Sequence, residues 1–123
     1  MSRRANKSKG AAGEDLAAAC LKAKGYRILD RNWRANTGEL DIVAADGPYL
    51  VFAEVKARLS DDYGYPAEAV TYEKRRAVNK AAAEYIKRFM LFDVPVRFDG
   101  VEVYLDTGHV NHIENAFDSY LRY

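Results

Sequence analysis

Asp41, Glu54 and Lys56 interrupt a mostly apolar stretch of the chain, residues 38–58, which reads GELDIVAADGPYLVFAEVKAR. An Asp-Gly-Pro turn signal divides this stretch, and β-branched and aromatic residues fill both sides, so the pattern predicts a β-hairpin. Side chains alternate between the two faces of a strand. A two- or four-residue loop centred on residues 47–48 therefore places Asp41 directly opposite Glu54, with Lys56 on the same face.

Facing carboxylates repel each other and destabilise a sheet, so we expect a compensating cation near Asp41 and Glu54. Carboxylate oxygens suit Mg²⁺, with Mn²⁺ as a substitute, and Mg²⁺ keeps several of its waters. Lys56 is suited to orient or deprotonate an attacking water, or to neutralise charge on a phosphate. These residue types are consistent with chemistry at a phosphate but do not by themselves identify a reaction. The alternative is a buried ion pair between Glu54 and Lys56, which leaves Asp41 as a costly uncompensated charge.

Glu14 is a candidate third acid of the same site. It lies in a predicted helix, at the border of the apolar face and directly after Gly13, which would permit close backbone approach. As a structural element, Glu14 is a favourable charge in the first helical turn, where the helix dipole attracts anions. As a functional element, it is a catalytic acid or metal ligand that leans toward the hairpin.

Hydrophobic periodicity predicts the elements that must position these residues. Apolar residues three and four positions apart predict helices at residues 11–24 and 71–90, the second of them capped by Thr71. Strand-forming runs predict four strands, at residues 26–34, 39–45, 50–57 and 96–105. Residues 109–117 form either a further short strand or an irregular tail.

The chain has 123 residues, of which 49% are hydrophobic, and this predicts one globular domain at residues 11–123. No apolar run reaches the roughly 20 residues of a membrane span, and the N-terminus lacks an apolar signal core. We therefore expect a cytoplasmic protein without a membrane partner. Cys20 has no second cysteine to pair with and is expected to be buried. His109 and His112 lack metal-site spacing, so both are expected to be structural or exposed.

Basic residues concentrate in two places, although the net charge is only +1. Residues 1–10 carry four of the 19 Lys and Arg residues and no acid, which predicts a flexible basic arm. We favour a plain disordered tail, because four charges make a weak motif. An arm that attracts phosphate is the alternative. Lys74, Arg75 and Arg76 cluster in the first turn of the second helix, where the dipole disfavours cations. That cost favours a nucleic-acid contact over a merely solvated face.

Tyr63 and Tyr65 lie in the predicted loop that precedes the second helix. Tyrosines that are exposed in a loop are able to stack on nucleic-acid bases. Packing against the edge of the domain is the alternative for both side chains.

The order helix, strand, acid-bearing hairpin, helix, strand resembles the PD-(D/E)xK nuclease superfamily. More closely, nearly the whole chain is similar to the YraN-like family of small bacterial proteins, through the segments GEDLAAACLKAKGYRILDRNWR, GELDIVAADGPYLVFAEVKAR and PAEAVTYEKRRAV. The resemblance implies an α/β, restriction-endonuclease-like three-layer fold. Its mixed central sheet of about four to five strands would be flanked by helices.

The resemblance also implies roles for particular residues. Asp41 matches the superfamily acid of the second strand, and Glu54 and Lys56 match the E-x-K of the third. Glu14 matches the first-helix acid of archaeal-type Holliday-junction resolvases. Leu40 stands where the superfamily name has proline. The implied activity is Mg²⁺-dependent cleavage of DNA, at branched or damaged structures, with metal ligands Asp41, Glu54 and Glu14.

Three functional hypotheses follow. The first is a metal-dependent nuclease, for which symmetric cutting of two strands would require a homodimer, since one domain carries one site. The second is a nucleic-acid-binding module that does not cut. The third is a protein–protein adaptor in which the acids only support the fold.

Overall fold

Two helices and five strands make up the fold in the computed structural model, which describes residues 2–60 and 71–119, with side chains from residue 11 onward. In chain order the elements are α1 (Ser2–Ala23), β1 (Arg27–Ala35), β2 (Gly38–Asp46), β3 (Tyr49–Arg58), α2 (Tyr72–Arg88), β4 (Val96–Tyr104) and β5 (Val110–Ile113). The four predicted strands and two predicted helices are confirmed. β5 occupies the segment for which the sequence left a short strand or an irregular tail open.

α1 begins at Ser2, whereas the apolar pattern predicts a start at residue 11. Arg, Lys and Ala are good helix formers at any spacing, so apolar periodicity does not mark where such a helix begins. The buried face centres on Ala17, Ala18 and Leu21. Cys20 lies beside this centre and is half-buried, so the expectation that it is buried was wrong. The flexible arm and the domain boundary after residue 10 stay predictions.

The sheet has the strand order β1-β2-β3-β4-β5. All neighbouring pairs are antiparallel except β3 and β4, which are parallel. A parallel pair needs a crossover connection, and the segment that contains α2 supplies it. The predicted mixed sheet is therefore confirmed.

The two helices cover opposite faces of the sheet and give the fold three layers. On one face α1 packs over a buried cluster that includes Ile42, Val51 and Val101. On the other face α2 packs over a cluster in which Phe52 stacks on Phe98, with ring centroids 5.6 Å apart, and meets Tyr85 edge-on at 5.8 Å. None of the helices within residues 2–60 and 71–119 has the length and apolar character needed to cross a lipid bilayer.

The predicted hairpin is formed by β2 and β3. Its register runs from Asp46 opposite Tyr49 to Ile42 opposite Ala53, so the loop consists of the two residues Gly47 and Pro48. Gly47 has φ 55°, and a glycine with positive φ at the first loop position is typical of a type II′ turn. Because proline fixes its own φ near −65°, this dipeptide specifies the turn and thereby the register of both arms.

Candidate functional site

The β2–β3 pairing ends with Ile42 opposite Ala53, and Asp41 and Glu54 are the next residues beyond that pair on their two strands. Continuing the register by one position places them opposite each other. Asp41 Oδ2 accepts a hydrogen bond of 2.8 Å from the backbone N–H of Val55. The Asp41 carboxylate thus accepts a backbone N–H of β3 at the point where the β2–β3 ladder ends. This contact fixes its carboxylate beside that of Glu54.

Glu54 is buried, Asp41 is half-buried, and their carboxylates repel each other. The Glu54 side chain is only 8% exposed, and its Oε2 atom has no hydrogen-bond partner. Burial, followed by the charge of Asp41, raises the pKa of Glu54 to about 8. Burial also raises the pKa of Asp41, although the Val55 N–H opposes the shift. The fold therefore holds an acidic pair whose ionised form is costly without a cation.

Lys74 brings a positive charge to this pair from α2. Its Nζ lies 3.4 Å from Oε1 of Glu54, and it lowers the pKa of both Glu54 and Asp41. The predicted cap is confirmed, because Thr71 Oγ1 accepts a hydrogen bond of 3.1 Å from the Lys74 N–H. The helix cap and the ion pair together fix the first turn of α2 against the end of β3.

Lys56 lies two residues after Glu54 on β3 and is exposed to solvent. Strand alternation places both side chains on the α2 side of the sheet. On the neighbouring β4, Gly100 pairs with Glu54. A Cβ at Gly100 would lie 3.5 Å from the Cβ of Ala116, so the segment after β5 passes close to β4 at this position.

Glu14 reaches the same region from α1. Gly13 before it is buried, and a Cβ there would lie 3.6 Å from the Cβ of Ala57, so α1 packs closely on the end of β3. Glu14 Oε1 has no hydrogen-bond partner, and Arg31 Nη2 lies 4.0 Å away. Burial, followed by the charge of Asp41, raises the pKa of Glu14. We call Glu14, Asp41 and Glu54 the acid cluster.

The acid cluster does not form a ready-made cage for a metal ion. In residues 2–60 and 71–119, no group of three or more His, Cys, Asp or Glu side chains is positioned to hold one. Mg²⁺ is usually held by one or two carboxylates together with waters and substrate phosphates. The opposed carboxylates of Asp41 and Glu54, with the unpartnered Oε2 of Glu54, fit that kind of binding. The direct ligand role expected for Glu14 stays a prediction.

Comparison with known proteins identifies the family. The model of "Uncharacterised protein family UPF0102" matches residues 13–103. The chain belongs to this family. It is 48% identical over 116 residues to the UPF0102 protein of Geobacter sulfurreducens, an alignment that covers 92% of this chain and 91% of that one. It is 44% identical over 112 residues to the UPF0102 protein of Clostridioides difficile, with 91% and 98% covered.

The matched part of this UPF0102 chain contains the acid cluster and both lysines, Lys56 and Lys74. The UPF0102 protein of Rhodococcus opacus is similar over almost its whole length as well, with 44% identity over 115 residues and 98% of that protein covered. The candidate site thus lies in the part of the chain by which the family is defined. The family description names no activity.

The predicted nucleic-acid contacts fall into different environments. Lys74 is directed toward Glu54, and Arg75 is half-buried, with an Nε that has no hydrogen-bond partner. Arg76 is exposed. Tyr63 and Tyr65 lie outside the described residues. The role of these residues in binding nucleic acid stays a prediction, and Lys74 has an additional contact within the acid cluster that the sequence reasoning missed.

A second buried polar group, which the sequence reasoning also missed, lies on the α1 side of the sheet. Asp99 is fully buried and accepts hydrogen bonds from Arg97 at 2.9 and 3.0 Å, from His112 Nε2 at 2.7 Å and from the Asn115 N–H at 3.0 Å. These partners hold the pKa of Asp99 below its ordinary value, although burial opposes them. Both oxygens of Asp99 therefore have partners, and His112, which was expected to be structural or exposed, contacts Asp99 in this buried network.

Proposed function

We propose that this protein is a Mg²⁺-dependent nuclease of the PD-(D/E)xK type that hydrolyses phosphodiester bonds in DNA. The observation that carries the proposal is the acidic pair formed by half-buried Asp41 and buried Glu54 where the β2–β3 ladder ends, with Lys56 exposed two residues after Glu54 on the same strand. A sheet that keeps a repulsive acidic pair next to solvent-accessible lysine is suited to bind a cation and then an anion.

Each acidic or basic residue of the site would have its own role in the reaction. Asp41 and Glu54 would hold Mg²⁺, which when bound stabilises negative charge on the phosphate and makes water a better nucleophile. Asp41 is oriented for this by the hydrogen bond from Val55. Lys56 is exposed to solvent and would orient the attacking water or neutralise the developing charge on the phosphate. Glu14 would hold a water at the rim of the site.

Lys74 has a distinct part in this scheme. Its ammonium pairs with Glu54 and partly offsets the repulsion within the acid cluster. Binding of a divalent cation adds positive charge at the same carboxylate. We expect Lys74 then to turn from Glu54 toward solvent or toward a substrate phosphate, which its 59% exposed side chain allows.

The order of elements supports DNA as the substrate. α1, the β1–β2–β3 meander, α2 and the parallel β4 follow one another as the resemblance to the restriction-endonuclease-like fold implies. The first-helix acid, Glu14, points within that superfamily toward branched or damaged DNA. Fold likeness is an analogy, so the acid cluster and not the topology carries the proposal.

A non-cutting nucleic-acid-binding module is the second candidate, and one observation favours it. The Lys74 ammonium gives Glu54 a cation at 3.4 Å without any metal. In that case the acids and Lys74 would form a structural ion-pair network, and the exposed lysines and arginines alone would contact phosphate.

A nuclease screen tests the proposal. Single-stranded, duplex, flap and four-way-junction DNA are incubated with the protein in Mg²⁺, Mn²⁺ or EDTA. We expect metal-dependent cleavage of at least one substrate by the wild type and none by Asp41→Asn prepared in parallel. Cleavage that persists in Asp41→Asn would indicate a contaminating nuclease and leave the proposal unsupported. Binding of the same DNA without cleavage in any metal would favour the non-cutting module.

A further inference from the structure

An open cleft of about 410 Å³ lies between the end of β1 and the last turns of α2, outside the acid cluster. Aromatic, cationic and turn residues line it together, and those that matter here are Trp33, Arg34, Asn36, Glu84, Lys87 and Arg88. We call it the Trp33 cleft. Its volume is within the range of sites that hold one small ligand.

Three cations give the cleft its charge. The Arg34 side chain is 75% exposed, and its Nε lies 3.7 Å from a carboxylate oxygen of Glu39. Lys87 and Arg88 are exposed at the end of α2. Positive groups that converge on one cleft attract phosphate, and they release counterions when it binds.

Glu84, the acidic residue of this lining, is hydrogen-bonded within the fold. Its carboxylate accepts hydrogen bonds from the backbone N–H groups of Asn36 at 2.9 Å and Thr37 at 3.0 Å, and from the Thr37 hydroxyl. These hydrogen bonds lower the pKa of Glu84, and the bond from the Thr37 hydroxyl has the largest effect. They tie the β1–β2 turn to α2, so the rim of the cleft is formed before any ligand arrives.

Trp33 supplies an aromatic surface that is held in place. Its ring meets Tyr85 edge-on, with centroids 5.1 Å apart, and lies 6.4 Å from the ring of Phe89. The indole is half-buried, with one part packed on the core and another part in the cleft lining. A fixed aromatic ring beside cations presents a stacking surface and phosphate contacts together.

The cleft and the acid cluster lie within reach of one strand of nucleic acid. Gly38, at the start of β2, follows the turn that begins in the cleft lining. Asp41 comes three residues later, which corresponds to about 10 Å along the strand. Along α2, Glu84 comes ten residues after Lys74, which corresponds to about 15 Å. A strand whose phosphate reaches the acid cluster therefore reaches the Trp33 cleft within a few nucleotides.

We propose that the Trp33 cleft binds a single-stranded segment of nucleic acid, with one base against Trp33 and the flanking phosphates on Arg34, Lys87 and Arg88. Stacking on an aromatic ring beside a basic groove is how proteins bind single strands without reading sequence. A base inside a duplex is already stacked and paired, so the cleft selects an unpaired segment. This inference deepens the proposed function and rests on it, since the bound strand is the one that reaches the acid cluster.

The chain contains one tryptophan, so Trp33 reports on its own cleft. Oligothymidylate of ten nucleotides is titrated into the protein in EDTA at low salt, and tryptophan fluorescence is recorded. We expect a saturable change in fluorescence, since a stacked base alters the surroundings of the indole. Lys87→Ala and Arg88→Ala should each weaken binding by about three- to tenfold. Lys80→Ala, an exposed lysine of the same helix outside the cleft lining, is the matched control and should change binding less than twofold.

Three results would overturn this inference. The first is binding of the oligonucleotide, followed by anisotropy of a labelled strand, without any change in Trp33 fluorescence. The second is equal weakening by Lys80→Ala and by the two cleft variants. The third is an equal fluorescence response to thymidine monophosphate or to a blunt duplex at the same nucleotide concentration. The titration in EDTA measures binding without divalent metal, and the nuclease screen measures cleavage separately. Binding to the cleft without cleavage in the screen would contradict the proposed nuclease alone. Cleavage in the screen with no fluorescence response from Trp33 would contradict the cleft alone.

Discussion

The ammonium of Lys74, in the first turn of α2, lies 3.4 Å from Oε1 of Glu54 on β3. This ion pair joins a helix on one face of the sheet to the end of the acidic hairpin. It places a cation where the opposed carboxylates need one, and it connects α2 to the acid cluster. How Lys74 responds to metal is therefore the first property to test.

Lys74→Met should lower the stability of the metal-free protein at pH 8 by about 1 kcal/mol, because a buried carboxylate loses its cation while the exposure of Lys74 limits the loss. Mg²⁺ should then raise the melting temperature of the variant by more than that of the wild type, since the ion no longer competes with the lysine. Thermal unfolding in EDTA and in millimolar Mg²⁺ measures both effects. Lys80→Met is the control, and a Lys74→Met variant that behaves like it would contradict the assignment.

Asp41→Asn separates charge from hydrogen bonding at the acid cluster. The asparagine side chain still offers an oxygen to the Val55 N–H, but the repulsion with Glu54 is gone. We expect the metal-free variant to be at least as stable as the wild type and to lose the Mg²⁺- or Mn²⁺-induced rise in melting temperature, which the wild type shows by mass action. Asp41→Ala, which leaves the Val55 N–H without its acceptor, should be destabilised by about 1–3 kcal/mol. A destabilised Asp41→Asn, together with no metal response in the wild type, would favour an adaptor or binding module.

Glu54 should make stability fall as pH rises. Burial, followed by the charge of Asp41, raises its folded-state pKa from 4.5 to about 8. The folded protein holds this proton more tightly than the unfolded chain, so the contribution to stability is full below pH 4.5 and is lost as pH rises through 8. At about 1.4 kcal/mol for each pKa unit, the loss is on the order of a few kcal/mol. Urea unfolding in EDTA at pH 5 and pH 8 should show this slope in the wild type and in the exposed-site control Glu39→Gln, and its absence in Glu54→Gln. Equal slopes in all three proteins would contradict the prediction.

The facing acids were predictable because a strand has a period of two and the turn has a definite length. Once Gly47 and Pro48 form a two-residue loop, the pairing from Asp46 opposite Tyr49 to Ile42 opposite Ala53 is fixed, and the next position of each strand sets Asp41 opposite Glu54. The role of Lys74 was harder to predict, because its contact depends on how α2 is rotated over the sheet. The signal was nevertheless present, since Lys74 lies one helical turn before the buried Val78.

The Trp33 cleft and the Asp99 network could not be predicted in the same way. Trp33 and Lys87 are far apart in the sequence and meet only because α2 crosses the sheet toward the β1–β2 turn. Asp99 on β4 and His112 on β5 are hydrogen-bonded, although the register pairs His112 with Val101, and the sequence left it open whether β5 is a strand at all. Periodicity assigns a residue to a face of its own element, whereas such contacts depend on how elements are arranged in space.

Assembly determines which cleavage products are expected. One domain carries one acid cluster, so symmetric cutting of both strands of a junction requires a two-fold dimer. Sedimentation velocity with and without four-way-junction DNA measures the mass of the assembly. A dimer on the junction is expected if the protein resolves it by paired cuts. A monomer under both conditions would exclude paired resolution and leave nicking or single-strand cleavage as the expected activity.

Lys56→Met distinguishes catalysis from metal binding. The methionine keeps much of the side-chain length but removes the charge, while the carboxylates of Asp41 and Glu54 remain. We therefore expect the Mg²⁺-induced rise in melting temperature to persist and any cleavage to fall by about 10²–10⁴-fold, the usual contribution of a positioned acid–base group. Lys80→Met, which removes an exposed charge from α2, should leave both properties unchanged. If Lys56 only supports the fold, its loss should instead lower the melting temperature in EDTA and leave the cleavage rate of the folded fraction intact. That result would assign water activation to another group, for which Lys74, with its Nζ 3.4 Å from Oε1 of Glu54, is the next candidate to test.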